Sequence, residues 1–291
     1  MSLGGKPILV TGATGNTGSA LVELLTRRGL PVRVMVRHPA AAARFAAVPV
    51  QVAVADFDDV ASLAAAVAGV GQAYLVTPSS EQAEAQQVRF AELAAAFDVE
   101  QLVVLSQFAA DEASPVRFLR WHAAVERRVR ELGIGSTFLR PNLYFQGLLV
   151  FAQSIATESR FFAPIGDARV SAVDVRDIAA VAAVALTEPG HAGRTYTITG
   201  PAAITHAEIA AALSAAIGRE ITFVDAPPEV FAESLRGVLP LWRVGGLLED
   251  YAHYARGEAA AVYPTVAEVT GQQPRDIGQF ARDYADAFKR G

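Results

Sequence analysis

Short apolar runs alternate with stretches of helical periodicity through the first half of the chain. Pro7–Val10, Val32–Val36, Val50–Ala55, Gln72–Thr77, Gln101–Leu105 and Ser136–Leu139 lack the in-out alternation of a half-exposed strand, so each predicts a strand covered on both faces. The segments between them predict helices from about Asn16 to Arg28, closed by Gly29, and from Pro39 onward. Further helices are predicted over Ala61–Ala68, stopped by Gly69, over Glu81–Phe97 and over Pro115–Leu132. Such an order means an α/β fold, a doubly wound parallel sheet with helices on both faces.

Beyond about Asn142 the pattern changes. Phe161–Pro164, Arg169–Val173, Thr195–Thr199 and Ile221–Val224 predict short strands, and Asp177–Leu186, His206–Ile217 and Ile277–Phe288 predict helices. Pro227, Pro228 and Pro240 punctuate a stretch whose elements the pattern does not define. The expected organisation is a nucleotide-binding domain over 6–142 and, over 143–291, a smaller C-terminal α/β lobe that takes the substrate. Segments around 171–200 are expected to return to the first domain. No low-complexity linker and no internal repeat interrupts the chain.

Composition narrows the classes of function. With 291 residues, 52% of them hydrophobic and 19% charged, the chain can build a sizeable core and cannot be intrinsically disordered. A net charge of −5 argues against direct contact with nucleic acid, which wants a basic face. The absence of cysteine removes disulfides, thiolate metal sites and thiol nucleophiles, and fits a cytoplasmic protein. The uncharged run Pro141–Thr157 contains Asn142, Gln146, Gln153 and Ser154 and falls short of the ~20 apolar residues of a membrane span. Met1–Gly5 is set aside as leader, and no secretory signal is expected. His38, His122, His191, His206 and His253 have no ligand spacing, so no metal is expected. A monomer or a homodimer fits equally.

The sharpest motif is Thr11-Gly12-Ala13-Thr14-Gly15-Asn16-Thr17-Gly18, directly after the first strand and opening the first helix. Gly12 permits the tight turn, Gly15 lets the backbone approach a pyrophosphate, and Gly18 lets the helix lie close to the sheet. The free N–H groups at the helix N-terminus favour the anion. With a second strand about 20 residues on, the context is that of a Rossmann dinucleotide site. That second strand ends Met35-Val36-Arg37-His38, and no acidic residue occurs from Leu25 through Ala55. An acid there would bind the ribose 2′-hydroxyl of NAD; the Arg37 fork suits the 2′-phosphate of NADP, so NADP(H) is expected in preference to NAD(H).

The spacing G-x-x-G-x-x-G resembles the extended and atypical short-chain dehydrogenase/reductases. LVTPSS (Leu75–Ser80), LVVLSQF (Leu102–Phe108), WHAAVERRVRELGIGSTFLRPN (Trp121–Asn142) and SAVDVRDIA (Ser171–Ala179) point to a narrower group. With GRTYTITGP (Gly193–Pro201) and VTGQQPRDIGQFARDYADAF (Val269–Phe288), they are similar to the NmrA-like branch over almost the whole chain. That branch includes NADPH-dependent quinone and azo-compound reductases and also cofactor-sensing regulators. The resemblance implies adenine contacts at Asp56 and Phe57, and it places Thr77 and Pro78 over the pyrophosphate and ribose. Ser106 falls at the position of the superfamily's catalytic Ser or Thr, and Pro141, Asn142 and Tyr144 fall where the family's chain passes the nicotinamide.

Ordinary members of the superfamily transfer a proton through Tyr-x-x-x-Lys. Here the lysines are Lys6 and Lys289, no tyrosine has a lysine four residues later, and the matching helix reads Phe118-Leu119-Arg120-Trp121-His122. The standard mechanism is excluded. His122 is a candidate for a ribose contact or a proton donor, Ser106 and Tyr144 for further catalytic groups, and each also has a plain structural role open to it. Arg127, Arg128 and Arg130, flanked by Glu126 and Glu131, read as a solvated face. The expected function is an NADPH-dependent oxidoreductase acting on a quinone or similar small electrophile. The alternatives are an NADP(H)-sensing regulator that binds a partner protein, and an epimerase-like or dehydratase-like enzyme.

Overall fold

The computed structural model describes residues 5–290; residues 1–4, most of the segment set aside as leader, lie outside the described residues, as does Gly291. The strands are β1 (Ile8–Val10), β2 (Val32–Val36), β3 (Gln51–Val54), β4 (Gln72–Leu75), β5 (Gln101–Leu105), β6 (Ser136–Pro141), β7 (Arg160–Ala163), β8 (Thr195–Ile198) and β9 (Thr222–Asp225). Seven of them form one sheet in the order β3-β2-β1-β4-β5-β6-β8, and β7 pairs with β9 separately. The pairs β1–β2, β1–β4, β2–β3, β4–β5 and β5–β6 are all parallel. From β1 the chain winds out through β2 to β3, then returns to the other side of β1 for β4, β5 and β6. Ligands of such sheets bind outside the carboxyl ends, where the winding reverses.

The helices are α1 (Asn16–Arg27), α2 (Val60–Val67), α3 (Ala83–Ala96), α4 (Arg117–Glu131), α5 (Ala152–Glu158), α6 (Val175–Thr187), α7 (His206–Ile217), α8 (Pro228–Ser234), α9 (Leu241–Ala255), α10 (Thr265–Thr270), α11 (Ile277–Asp283) and α12 (Ala285–Arg290). On one face of the sheet Leu63 and Val67 of α2, Phe90 and Ala94 of α3, and Val125 and Val129 of α4 cover Leu9, Leu102, Val104 and Phe138. On the other face α6 lies against α1, β4 and β5, and Ala179, Ala182 and Ala183 let it approach closely. This is a Rossmann-type α/β fold. Among the described residues no helix is long and apolar enough to cross a membrane.

The chain divides into two compact units, residues 5–112, 121–140 and 175–197 in the first and 113–120, 141–174 and 198–290 in the second. Residues 113–120, expected in the first domain, group with the second unit for a visible reason. Arg117 donates from Nε and Nη2 to Glu249 Oε1 of α9 at 2.9 and 2.6 Å, and from its backbone N–H to Oε2 at 2.7 Å. The Phe118 ring fills the place of a side chain on Gly246, whose Cβ would lie 2.2 Å from it.

Other departures from the pattern also have physical causes. The helix expected from Pro39 is a 3-10 segment, Pro39–Phe45, because Phe45 alone is buried and no apolar stripe sustains a longer helix. Arg169–Val173 is not a strand: Val170 bridges Ile204, Ser171 donates its N–H to Ala259, and Val173 bridges Tyr144, so successive residues have different partners. The helix expected over Ile277–Phe288 breaks at Tyr284, which stacks on Phe280 with ring centroids 4.7 Å apart. Pro228 is the first residue of α8 and Pro240 the N-cap of α9, positions where a helix has no use for the missing N–H.

Candidate functional site

Most residues singled out in the sequence lie along the carboxyl-terminal edge of the large sheet. β1 runs into the loop 11–18, β2 ends beside Arg37, β3 precedes Asp56, β4 precedes Thr77, and β5 ends beside Ser106. Thr11 joins the two strands at the winding reversal. Fully buried, it donates from Oγ1 to the Val76 carbonyl at 2.8 Å and accepts the Val76 N–H at 2.8 Å.

The glycines of the loop are required by close approach. Gly12 has φ +56°, and a Cβ there would lie 2.5 Å from Val76 Cγ1. A Cβ on Gly18 would lie 2.2 Å from the Gly12 carbonyl oxygen. Gly15 caps α1 with no side chain and the first turn carries no acid, so no side chain of that turn competes for its free N–H groups. A backbone cradle of this kind fits a pyrophosphate.

Arg37 is exposed, with Nε donating to His38 Nε2 at 3.1 Å. Arg44, which the sequence reading passed over, reaches back from the 3-10 segment and donates from Nη1 to the Thr14 carbonyl at 3.1 Å. Its signal was a further cation in a connection that has no acid. Asp56 is half-buried and accepts the Asp58 N–H on Oδ1 at 3.0 Å, while Asp59 caps α2. The Phe57 side chain is not available to a ligand: its ring is 7% exposed and lies against Phe90, leaving only backbone at the edge. Pro78 is exposed, and Thr77, half-buried, accepts from Gln87 Nε2 at 3.1 Å.

Ser106 departs from expectation. It is 3% exposed, and its hydroxyl donates to Glu126 Oε1 at 2.5 Å. Glu126, read as part of a solvated face, has no exposure at all because it shares the buried stripe of α4 with Leu119, Ala123 and Val129. Arg140 grips its carboxylate with Nε on Oε1 at 2.8 Å and Nη2 on Oε2 at 2.7 Å, and Arg130 adds Nη2 on Oε2 at 2.8 Å. Burial alone would raise this carboxyl, but the hydrogen bonds from Arg140, Ser106 and Arg130 outweigh it and hold the group below the usual carboxylate range. The carboxylate stays ionised and accepts only, so the Ser106 proton is committed to it. Arg127 and Arg128 do form a solvated face, paired with Glu112, Glu131 and Glu92.

His122, one turn before Glu126, is half-buried along α4. Burial of the imidazole lowers it to about 4; the Glu126 charge opposes the shift and Arg140 adds to it. A ring neutral near pH 7 keeps one N–H for hydrogen bonding and is a weak proton donor.

In the second unit, Tyr144 is half-buried and bridges Val173, with Val173 N–H donating to Leu143 and Phe145 N–H to Val173. Pro141 is buried. Asn142, 3% exposed, spends its amide within this unit: Nδ2 donates to Ser171 Oγ and to the Ala259 carbonyl, each at 2.8 Å, and Oδ1 accepts the Leu143 N–H at 2.8 Å. With both N–H groups taken, Asn142 pins loops and has no donor left for a cofactor.

Comparison with known proteins adds to this geometry. The chain is 38% identical over 282 residues to an NAD(P)H azoreductase of Xenophilus azovorans, covering 97% of this chain and 99% of that one. Quinone oxidoreductase 2 of Escherichia coli is 30% identical over 233 residues, covering 79% of this chain and 82% of its own. An Escherichia coli NADPH-dependent quinone oxidoreductase solved with NADPH superposes with a TM-score of 0.85 at 28% identity, covering 95% and 99%. The triphenylmethane reductase of Citrobacter sp. solved with NADP(H) gives 0.83 at 25%, covering 96% and 99%. Residues 5–276 match the NmrA-like family, and the chain belongs to that family.

Proposed function

We propose that the chain is an NADPH-dependent oxidoreductase that delivers hydride to a quinone, an azo compound or a similar electron-poor acceptor. The observation that carries the reading is the near full-length match to an NAD(P)H azoreductase, joined to an intact glycine cradle. In this reading the backbone from Gly12 to Gly18, with Thr14, Asn16 and Thr17, holds the pyrophosphate. Arg37, with Arg44 behind it, takes the 2′-phosphate; Asp56 and the backbone of Phe57 receive the adenosine half. Thr77 and Pro78 line the middle of the cofactor, and neutral His122 offers a hydrogen bond to the ribose. Tyr144 is assigned to the acceptor, carried on the segment that Pro141 and Asn142 anchor.

Bound NADPH supplies the hydride. The protein's own part is orientation and exclusion of water, which can carry much of such a rate. No general acid is needed for a quinone, whose reduced form takes its proton from water. Phe118 stands where the ordinary superfamily has its tyrosine and has no proton to transfer; of the candidate groups, Ser106 directs its proton to Glu126 and His122 is neutral, which leaves the Tyr144 hydroxyl, assigned here to the acceptor.

The test is titration with NADPH and NADH, followed by a panel of quinones, azo dyes and activated alkenes read at the reduced-nicotinamide band. NADPH oxidation that depends on the acceptor is expected; binding without turnover across the panel overturns the enzyme reading. Arg37→Ala should weaken NADPH about tenfold or more and NADH far less. Equal losses would remove Arg37 from the 2′-phosphate.

A further inference from the structure

The buried stripe of α3 changes chemistry along its length. Phe90, Ala91 and Ala94 are apolar and fully buried, whereas Gln86 and Gln87, one turn earlier on the same stripe, are 8% and 5% exposed. A carboxamide so placed is costly unless it is satisfied, and leucine would serve the core better. The two glutamines lie where α3 begins, at the carboxyl-terminal edge of the sheet.

Each ties down a connection that leaves a strand end. Gln86 Nε2 donates to both carboxylate oxygens of Asp58, at 3.2 and 3.1 Å, while the Ser80 hydroxyl donates to Gln86 Oε1 at 3.4 Å. One side chain thus links the segment after β3 to the segment after β4. Arg89 reinforces the first, with Nη1 donating to the Phe57 carbonyl at 2.6 Å. Gln87 donates from Nε2 to Thr77 Oγ1 at 3.1 Å, which makes Thr77 an acceptor on that side and turns its hydroxyl proton elsewhere. Gln87 Oε1 is buried and meets no protein donor.

We propose that Gln86 and Gln87 are positioning residues for the cofactor. Gln86 fixes the Asp56–Asp59 segment that receives the adenosine half, and Gln87 fixes Thr77 as a hydrogen-bond donor toward the pyrophosphate. The inference rests on the NADPH reading above. It separates the two ends of the cofactor, which a purely structural role does not.

Calorimetric titration of the full chain with NADPH, and separately with adenosine 2′,5′-bisphosphate, tests it. Gln86→Leu should weaken both ligands about tenfold, whereas Gln87→Leu should weaken NADPH about fivefold and the bisphosphate less than twofold. Gln86→Glu, which sets a carboxylate against Asp58, should weaken both more than Gln86→Leu does. Adding Asp58→Asn to Gln86→Glu restores a donor-acceptor pair and should bring both back to within about threefold of the parent. Thermal melts of each variant complete the set, and parent-like melting with split affinities is the expected pattern. Loss of both ligands in parallel by both leucine variants, unchanged affinities, or failure of the swap would overturn the proposal. A parent chain that does not bind NADPH would instead overturn the functional reading.

Discussion

Glu126 in the first unit and His206 in the second are both buried and ionisable, and they meet burial in opposite ways. Glu126 keeps its charge because four hydrogen bonds from Ser106, Arg130 and Arg140 converge on it. His206, 2% exposed among Phe161, Phe223 and Tyr251, gives its charge up: burial lowers it to about 4, with only Asp225 opposing, and its Nδ1 has no hydrogen-bond partner. Around Glu126 the first unit supplies every donor that the buried carboxylate needs. Around His206 the second unit supplies none to Nδ1, and the ring is neutral. Buried charge survives where donors are supplied in number, and otherwise the proton equilibrium shifts to remove it.

The largest test of that contrast is Glu126→Leu. It leaves the Ser106 hydroxyl and the half-buried Arg140 guanidinium without their acceptor, and should cost about 4 kcal/mol in urea unfolding. Glu126→Gln, which keeps shape and some acceptors, should cost about half as much. A loss below about 1 kcal/mol for Glu126→Leu would mean that the cluster contributes little beyond volume.

His206 makes the next prediction, through pH. Its folded value of about 4 lies below the ordinary 6.5, so between those values the unfolded chain binds a proton that the folded chain refuses. Stability from this group is complete above pH 6.5 and lost as pH falls toward 4, by up to about 3 kcal/mol. His206→Phe should flatten that part of the stability profile. His122, lowered for the same reason, adds a contribution of the same sign. An unchanged slope in His206→Phe would place the titration elsewhere.

Two glycines sharpen the comparison further, because each would drive a Cβ to 2.2 Å from a carbonyl oxygen, Gly18 on Gly12 and Gly200 on Ala172. Gly18→Ala and Gly200→Ala should each destabilise by about 2 kcal/mol, since backbone must move. Gly18→Ala should also weaken NADPH about 50-fold by opening the cradle, with Gly200→Ala close to the parent. Similar losses of affinity in both would dissolve the distinction between the units.

Where the chain's own backbone defines the structure, the sequence was readable. Parallel strands buried on both faces, a glycine loop and helix stop signals depend on local pattern, and β1 to β6 and the loop 11–18 follow from them. Arg169–Val173 misled because an apolar run cannot say that three different segments will each take one of its residues. Glu126 misled because charge by itself suggests solvent; its place on the α4 stripe was the countersignal, since it shares a face with Leu119, Ala123 and Val129. Ser106 was located at a strand end, but its proton's direction depends on a residue 20 positions away. Phe57 sits next to a candidate contact while its ring belongs to the core, a distinction that motif matching does not make.

Asn142 carries the smallest prediction and joins these lines. Its amide unites Leu143, Ser171 and Ala259, and Ser171 Oγ in turn donates to the Ala261 carbonyl at 2.6 Å. Thr199 Oγ1 accepts the Tyr263 N–H at 3.0 Å, so the segment from Ala259 to Tyr263 is held by side chains where no strand ladder exists. Asn142→Ala should therefore cost about 1–2 kcal/mol and speed hydrogen exchange over residues 259–263. Amides of the loop 11–18 should keep their protection, because Thr11 and the strand ends hold them independently. Matching acceleration in both places would mean that Asn142 supports the cofactor cradle as well as the loops of its own unit.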